Sequence, residues 1–532
     1  MSMQHRGPDS STFRVFYLDS SVMVALGFHR LAINGQAKAD EQPFSIGNTH
    51  LICNGEIWNY PELSSEAAKA IKAPYQANAP PQSDCKCLLP YYHQFGIRQL
   101  CTAIDGVFGC VIYDESSDTT HVLRDPIGIR SLYWHQHSET NALMVASELK
   151  SFPCEYENVM PFPPGQYATL STASTSSGEQ LLEFGRYVED APPNAIIPIC
   201  SSHDRLTCIR ESLTDAVRKR FMSDRPVGCI LSGGLDSTLI TAIACRLHKE
   251  KNPSTTERMR TYTIGMEGGE DLKWARMAAD YLGTEHHEFV VAESEFLDAI
   301  PEVIAQIESF DVTTVRASVG NWLVAKKIAE LGKDTVLFCG DFADELLGGY
   351  RGFGMAHTAA EFKEANQRMI RDVHCFDVLR SEKSFAGHGL EGRVPFADKR
   401  FRAVFDTYAP TAYRMWGGLS GEMGNEKIEK HILREAFEGY LPAELLWRRK
   451  EAFSDGVSGE KRSWFAVIQD HIQSTGISSL LTREHMCPYD AESSYYRAIY
   501  ESSYSSVKCI PYFWKQPFTT EIDPSARKLS NY

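Results

Sequence analysis

No stretch of the 532-residue sequence approaches the roughly 20 consecutive apolar residues needed to span a bilayer, so a membrane span is not expected. The start, Met1-Ser2-Met3-Gln4-His5-Arg6, lacks the apolar core of a secretory signal, and a cytoplasmic location is expected. There are 14 cysteines but no Cys-x-x-Cys pair, and Cys85-x-Cys87 is too close for the usual structural zinc spacing; reduced thiols are the expectation. Positive charge is scarce: 54 Lys and Arg face 69 Asp and Glu, a net charge of −15. Nucleic-acid binding is thereby disfavoured, because it needs phosphates neutralised by basic side chains. An anionic substrate would need local positive charge, which Arg448-Arg449-Lys450 and the lone Arg316 offer. No Gly-Lys-Ser/Thr follows a glycine turn, so an ordinary P-loop is not indicated.

What is present begins with Ser232-Gly233-Gly234-Leu235-Asp236-Ser237, set between the apolar run Val227 to Leu231 and an amphipathic stretch, Thr238 to Leu247. This is a strand, a glycine turn and a helix start. Adjacent glycines allow positive φ and leave no Cβ between backbone N–H groups and a ligand, while the unpaired N–H groups of the helix favour an anion. Asp236 would repel a bare polyphosphate, so a divalent cation between carboxylate and phosphate is implied, and magnesium pyrophosphate is the expected ligand. The competing reading is a plain strand-to-helix turn with Asp or Ser as the cap.

Two large domains are expected from the length. From about Phe13 to Ala168 short β-rich pieces recur, at Leu51 to Asn54, Val107 to Asp114, Thr120 to Arg124 and Ala142 to Ser147, with helical periodicity mainly near Cys85 to Phe95. This predicts an α+β layered domain over residues 1–185. Breaker-rich sequence between Thr169 and His203 reads as a linker. Residues 204–532 then alternate strand and helix: strands at Val227 to Leu231, Arg260 to Gly265, Glu288 to Val291 and Thr335 to Phe338, helices at Asp271 to Leu282 and Glu293 to Gln306. A mostly parallel α/β sheet with ligands at the carboxyl ends of its strands is predicted, followed by mainly helical sequence after Tyr350.

Further segments of the second half are Phe310 to Ser318, Cys339 to Glu345, Gly392 to Phe396, Glu429 to Glu435, Trp447 to Val457 and Asp523 to Arg527. Together with the glycine loop they resemble asparagine synthetase of the eukaryotic glutamine-dependent type, whose second domain is an ATP pyrophosphatase fold, adenine nucleotide alpha hydrolase-like. The resemblance implies attack of aspartate's side-chain carboxylate on the α-phosphate of ATP, giving β-aspartyl-AMP and pyrophosphate, and then displacement of AMP by ammonia. It implies Asp236 and Asp344 as ligands of Mg2+ and Lys450 as the phosphate-contacting cation. ATP would be held by Ile230, Ser232, Gly233, Gly234, Asp236, Ser237, Ile264, Cys339 and Gly340. Thr313, Thr314 and Arg316 would hold aspartate, with Asp341, Lys450 and Arg316 as the catalytic set. Taken without the resemblance, Asp344-Glu345 reads equally as a solvated pair, Lys450 as one of a wet basic cluster, and His431 as structural.

One departure stands out. Where that family usually reads Ser-Gly-Glu-Gly-Ser/Ala-Asp-Glu, this chain has Cys339-Gly340-Asp341-Phe342-Ala343-Asp344-Glu345. Asp341 retracts the carboxylate by one methylene, and Phe342 carries a steric cost if the backbone there needs positive φ. Lowered or redirected synthetase activity is the expectation.

The first half, through His5 to Asp9, Phe28 to Ala32, Asn54 to Ile57, Ser83-Asp84 and Arg124 to Gly128, resembles a class II glutamine amidotransferase layered sandwich. The resemblance implies Arg30, Asn54, Gly55, Glu56 and Asp84 around glutamine, with Asn54 and Gly55 as oxyanion donors. That family uses an amino-terminal cysteine, whereas the first cysteine here is Cys53. An inactive glutaminase half is expected, either because the sequence is amino-terminally shortened or because the protein takes free ammonia. Substrates are then aspartate, ATP and glutamine or ammonia, and a homodimer is left open. A related amide-forming ligase with another carboxylate, and a catalytically silent homologue, are the alternatives.

Overall fold

The computed structural model describes residues 2–17, 23–70, 83–171, 182–188, 204–251, 253–416, 428–449, 456–459, 462–475, 491–505 and 509–519. The described residues within Met1–Ala195, Met222–Arg225 and Ser505–Cys509 form one compact unit, and those within Ile196–Phe221, Pro226–Tyr504 and Ile510–Tyr532 form a second. Among the described residues no helix is long and apolar enough to cross a membrane.

Strands of the first unit are β1 (Ser10–Tyr17), β2 (Met23–Arg30), β3 (Phe44–Ile46), β4 (Thr49–Ile57), β5 (Gly106–Asp114), β6 (Thr119–Arg124), β7 (Tyr133–Gln136), β8 (Leu143–Ala146), β9 (Met160–Pro161), β10 (Gln166–Ser171) and β11 (Leu182–Arg186). Six of them form one antiparallel sheet in the order β11-β10-β6-β5-β4-β3, while β1 pairs with β2 and β7 lies between β8 and β9. Alternation along β5 sorts its side chains to two cores. Phe108, Cys110 and Ile112 pack with Leu63, Leu88, Leu89 and Leu100 of the helices Tyr60–Ala70 and Leu88–Ala103. Val111 faces the other way, onto Leu26, Leu132 and Phe162. The result is a layered α+β unit with helices on one face of the six-stranded sheet. Strand β11 lies inside the segment expected to be linker, because it completes the ladder of β10 from Gln166↔Arg186 to Leu170↔Leu182.

The second unit is α/β. Its strands β12 (Val227–Ile230), β13 (Arg260–Gly265), β14 (Glu285–Val290), β15 (Val336–Phe338) and β16 (Glu391–Arg393) form a parallel sheet in the order β14-β13-β12-β15-β16. Strand β14 begins three residues before the predicted Glu288, since an edge strand tolerates the polar pair His286-His287 while pairing along all of β13. The predicted helix Glu293 to Gln306 is two helices, Glu293–Asp298 and Ile300–Ile307, with Pro301 in the first turn of the second, where its missing N–H does no harm. Strand β16 was not anticipated, because Glu391-Gly392-Arg393 is a polar string. It is buried beside β15, and Arg393 answers Glu391 at 2.8 Å and the Arg220 carbonyl at 2.6 Å.

Candidate functional site

Strand order reverses beside β12: the chain runs from β12 outward through β13 to β14, then returns to β15 and proceeds to β16 on the other side. A crevice opens at such a switch point beyond the carboxyl ends of the two central strands. Here the turn after β12 and the turn after β15 touch backbone to backbone. A Cβ at Gly340 would lie 2.6 Å from the Ser237 nitrogen and 2.9 Å from the Asp236 Cβ, so no side chain fits there. Gly233 has φ +74, and its Cβ would meet the Ala275 nitrogen at 2.4 Å, so glycine is required on both counts.

The cleft at this point is lined by Ile230, Ser232, Gly234, Asp236, Ser237, Thr313, Thr314, Cys339, Gly340, Asp341 and Asp344, all expected from the sequence. Gly233 supports the turn from behind, and Ile264 is buried on β13; neither lines the cleft. Arg449 lines it, whereas Lys450 lies outside the described residues. Ser237 Oγ accepts the Ser232 N–H at 3.2 Å and sits 3.0 Å from the Ser232 hydroxyl, which closes the turn around its own backbone donors.

The group at the centre, Lys430, lies in the Glu429 to Glu435 segment but is assigned no role from the sequence. Lys430 Nζ stands 2.5 Å from Asp236 Oδ2 and 2.5 Å from Asp344 Oδ1, with its side chain only 1% exposed. Lys430 caps the helix His431–Ala436 in a left-handed conformation, φ +57, which turns its stem inward. A Cβ at Gly349 would overlap its Cε at 2.1 Å, so that glycine makes the room. Asp236 Oδ1 is buried with no hydrogen-bond partner among the described residues. Two converging carboxylates, one with an oxygen that no described residue engages, form a donor set that suits a small oxygen-loving divalent cation. Nearby, Arg448 donates to the Gly233 carbonyl at 2.9 Å with its guanidinium 4.8 Å from the Trp274 ring.

The far end of the cleft is acidic. Asp341 is 3.4 Å from the Arg380 guanidinium, which also pairs with Asp377, and Asp377 accepts the Phe342 N–H at 3.4 Å. Two residues one turn apart on the helix Asp377–Ala386 thus grip two successive residues of the departing loop. Phe342 has φ +72 and a fully buried ring, so the strain foreseen for a side chain at this backbone position is present. Burial pushes the Asp341 carboxyl above its ordinary range against the pull of Arg380, with Asp377 adding to the rise. Burial, helped by Asp377 and Asp344, raises Glu345 well above its ordinary value while the Tyr350 hydroxyl donates to it.

Arg316, expected at the aspartate, does not line the cleft. Its guanidinium makes a bidentate pair with Glu492, 2.7 Å at each arm, and lies 4.7 Å from the Phe465 ring. Glu492 is itself 1% exposed, so each charge needs the other. Thr314 is buried and bound through hydroxyl and N–H to Asp311 at 2.7 and 2.9 Å. Two lining residues that sequence reasoning missed, Trp514 and Gln516, come from a segment about 200 residues downstream of Thr313, and no local pattern marks them.

In the first unit, Asn54, Gly55 and Glu56 lie on β4, with Arg30 ending β2 and Asp84 in a short helical turn. Asp84 accepts the Ile57 N–H at 2.6 Å, Asn54 donates to the Ser147 hydroxyl at 3.3 Å, and Glu56 pairs with Asn34. Arg30 donates to the carbonyls of Gly35 and Ala37. No room exists for a side chain at Gly55, whose Cβ would lie 2.1 Å from the Val107 carbonyl oxygen.

Comparison with known proteins agrees with this division. Residues 208–360 and 354–487 match the family model of asparagine synthase, and residues 1–161 match that of a glutamine amidotransferase domain. Asparagine synthetase (glutamine-hydrolyzing) of Gallus gallus is 36% identical over 559 aligned positions, which cover 100% of this chain and 95% of the relative. The human protein of that name is 33% identical with the same coverage. Among solved structures, the glutamine phosphoribosylpyrophosphate amidotransferase of B. subtilis is 15% identical, covers 54% of this chain and 76% of its own, and has a TM-score of 0.27, a value that carries no argument.

Proposed function

Since the chain belongs to the asparagine synthetase family, we propose that it converts aspartate to asparagine with ATP, passing through β-aspartyl-AMP and releasing AMP and pyrophosphate. The observation that carries the reading is the Asp236–Lys430–Asp344 arrangement beside the glycine turn, at the switch point of the sheet.

The residues divide the work by charge. The backbone donors of Ser232 to Ser237 and the basic groups Lys430, Arg448 and Arg449 face the triphosphate, where negative charge builds as pyrophosphate leaves. Asp236 and Asp344 would hold a magnesium ion, which when bound supplies further positive charge to the leaving group. Ile230, Cys339 and Gly340 flank the nucleotide at the strand ends, with Ile264 behind them. Lys450, which lies outside the described residues, is assigned to the phosphates by the family resemblance alone. Thr313 and Thr314 border the aspartate, and Arg316 acts as a positioning residue, because it fastens the helix Val312–Leu331 to Glu492. Asp341, held by Arg380, orients the reacting end of the substrate. The first unit holds glutamine through Arg30, Asn54, Gly55, Glu56 and Asp84.

Exchange of labelled pyrophosphate into ATP tests the reading independently of the nitrogen donor. Aspartate-dependent exchange that disappears in Asp236→Ala is the expected result. Exchange with a different acid alone would make the protein another amide-forming ligase, and flat exchange with every acid would make it catalytically silent. Asparagine formation measured in parallel with glutamine and with ammonium salts then identifies the nitrogen donor.

A further inference from the structure

A strap, the described segment from Ile510 to Thr519, contributes Trp514 and Gln516 to the lining of the cleft beside Thr313. Four hydrogen bonds help to seat it. Asp311 Oδ1 accepts the Trp514 N–H at 2.7 Å, and the Thr313 hydroxyl reaches the Trp514 carbonyl at 3.5 Å. Gln516 Oε1 accepts the Gly352 N–H at 3.0 Å, and the Tyr512 hydroxyl donates to Asp372 at 2.9 Å. The approach at Gly352 is so close that a Cβ there would lie 2.1 Å from the Pro517 carbonyl oxygen.

These anchors at residue 514 engage its main chain. Trp514 lines the cleft, and its half-buried indole packs with Tyr350, ring centroids 5.0 Å apart, on the apolar cluster of Phe353 and Phe362. The Tyr350 hydroxyl is in turn tied to Glu345. The same cleft is lined by Asp341 and Arg380. Aromatic and polar groups thus line one cleft, and the strap's hydrogen bonds do not involve the indole.

We propose that Trp514 is a specificity-determining residue that limits the length of the carboxylate substrate by closing the amino-acid end of the cleft; this rests on the synthetase reading given above. A four-carbon diacid reaches from the phosphate-facing groups to the indole, and a diacid longer by one methylene drives its carbon chain into the ring. One methylene of misfit in a packed pocket gives discrimination of about 10- to 200-fold.

The test is pyrophosphate exchange driven by aspartate and by glutamate in the wild type, Trp514→Phe and Trp514→Ala. In Trp514→Ala the aspartate KM should rise and the preference for aspartate over glutamate, as a ratio of kcat/KM, should fall by at least tenfold, with the ATP KM unchanged. Trp514→Phe, which keeps a ring on the same backbone anchors, should retain most of the preference. If wild-type exchange depends on aspartate but both variants keep the wild-type preference, the indole sets no limit and the proposal is overturned while the synthetase reading stands. A parallel rise of the ATP KM in both variants would likewise overturn it, showing general disruption. Flat exchange in the wild type would overturn both.

Discussion

Lys430 holds Asp236 and Asp344 together, with its ammonium 2.5 Å from an oxygen of each. These three charges come from three separate segments, and only the fold makes them one group. Removing the ammonium leaves two largely buried carboxylates facing one another. Lys430→Met is expected to lose about 3 kcal/mol of stability in metal-free buffer, because breaking a buried pair exposes the full desolvation cost of its partner. Millimolar magnesium without nucleotide should raise the melting temperature of this variant more than that of the wild type, since the seat has lost its internal cation. Equal magnesium responses would argue against Asp236 and Asp344 as a cation seat.

Phe342 combines a left-handed backbone with a fully buried ring, and the two effects oppose each other. Relief of strain in Phe342→Gly is worth about 1 kcal/mol, whereas loss of a buried ring costs about 3 kcal/mol or more. Burial wins, so chemical denaturation should show a net loss of about 2 kcal/mol. The double variant Asp341→Glu/Phe342→Gly should nevertheless increase aspartate-dependent pyrophosphate release, because it restores the longer carboxylate and an unstrained loop. An unchanged rate would show that the loop works equally well as it is.

Arg316 and Glu492 form a buried bidentate pair outside the cleft lining, although Thr313, Thr314 and Ala317 beside Arg316 belong to it. Arg316→Met should cost about 3 kcal/mol by stranding Glu492, and Arg316→Met/Glu492→Met should recover most of it. A double-mutant cycle measures the coupling. If the recovered double variant retains its aspartate KM, Arg316 positions the helix; a KM raised tenfold or more in that stable variant would mean that the guanidinium touches substrate.

Burial raises the Asp311 carboxyl to about 6, against the three hydrogen bonds it accepts from Thr314 and Trp514. The native state then binds this proton more tightly than the unfolded chain, whose carboxyl titrates near 3.8. The stability contribution of Asp311 therefore grows as pH falls from about 6 towards 3.8, by on the order of 3 kcal/mol in all. Other groups titrate in the same range, so the quantity to measure is the unfolding free energy of wild type minus Asp311→Asn. That difference should increase on acidification through this window; a constant difference would place the Asp311 titration elsewhere.

Much of this protein could be read along the chain. The alternation in β4 to β6 and the strand–glycine–helix string at Val227 to Leu247 both depend on residues that are neighbours in sequence, where spacing translates directly into a face or a turn. For the same reason Asp236 could be picked out as a cleft residue before any fold was known, whereas Thr313, Cys339 and Asp344 are expected there through the resemblance of their segments to a known family. The two helices read as one, Glu293–Asp298 and Ile300–Ile307, were misjudged because their apolar spacing continues across the break at Pro301.

Tertiary structure alone decided which charges meet. Lys430 sits in a run of polar residues beside an ordinary apolar stripe, and its burial between two carboxylates depends on chain separated from it by 194 residues on one side. The Arg316 guanidinium points to Glu492 because a charge inside a protein must find its opposite, wherever in the sequence that lies. Trp514 joins the cleft because Asp311, Thr313, Gly352 and Asp372, all distant in sequence, seat its segment. Local sequence determined the backbone turns that can receive a phosphate, since φ, ψ and missing Cβ atoms are properties of single residues. The fold determined which side chains complete the site, since electrostatic pairing and close packing act through space.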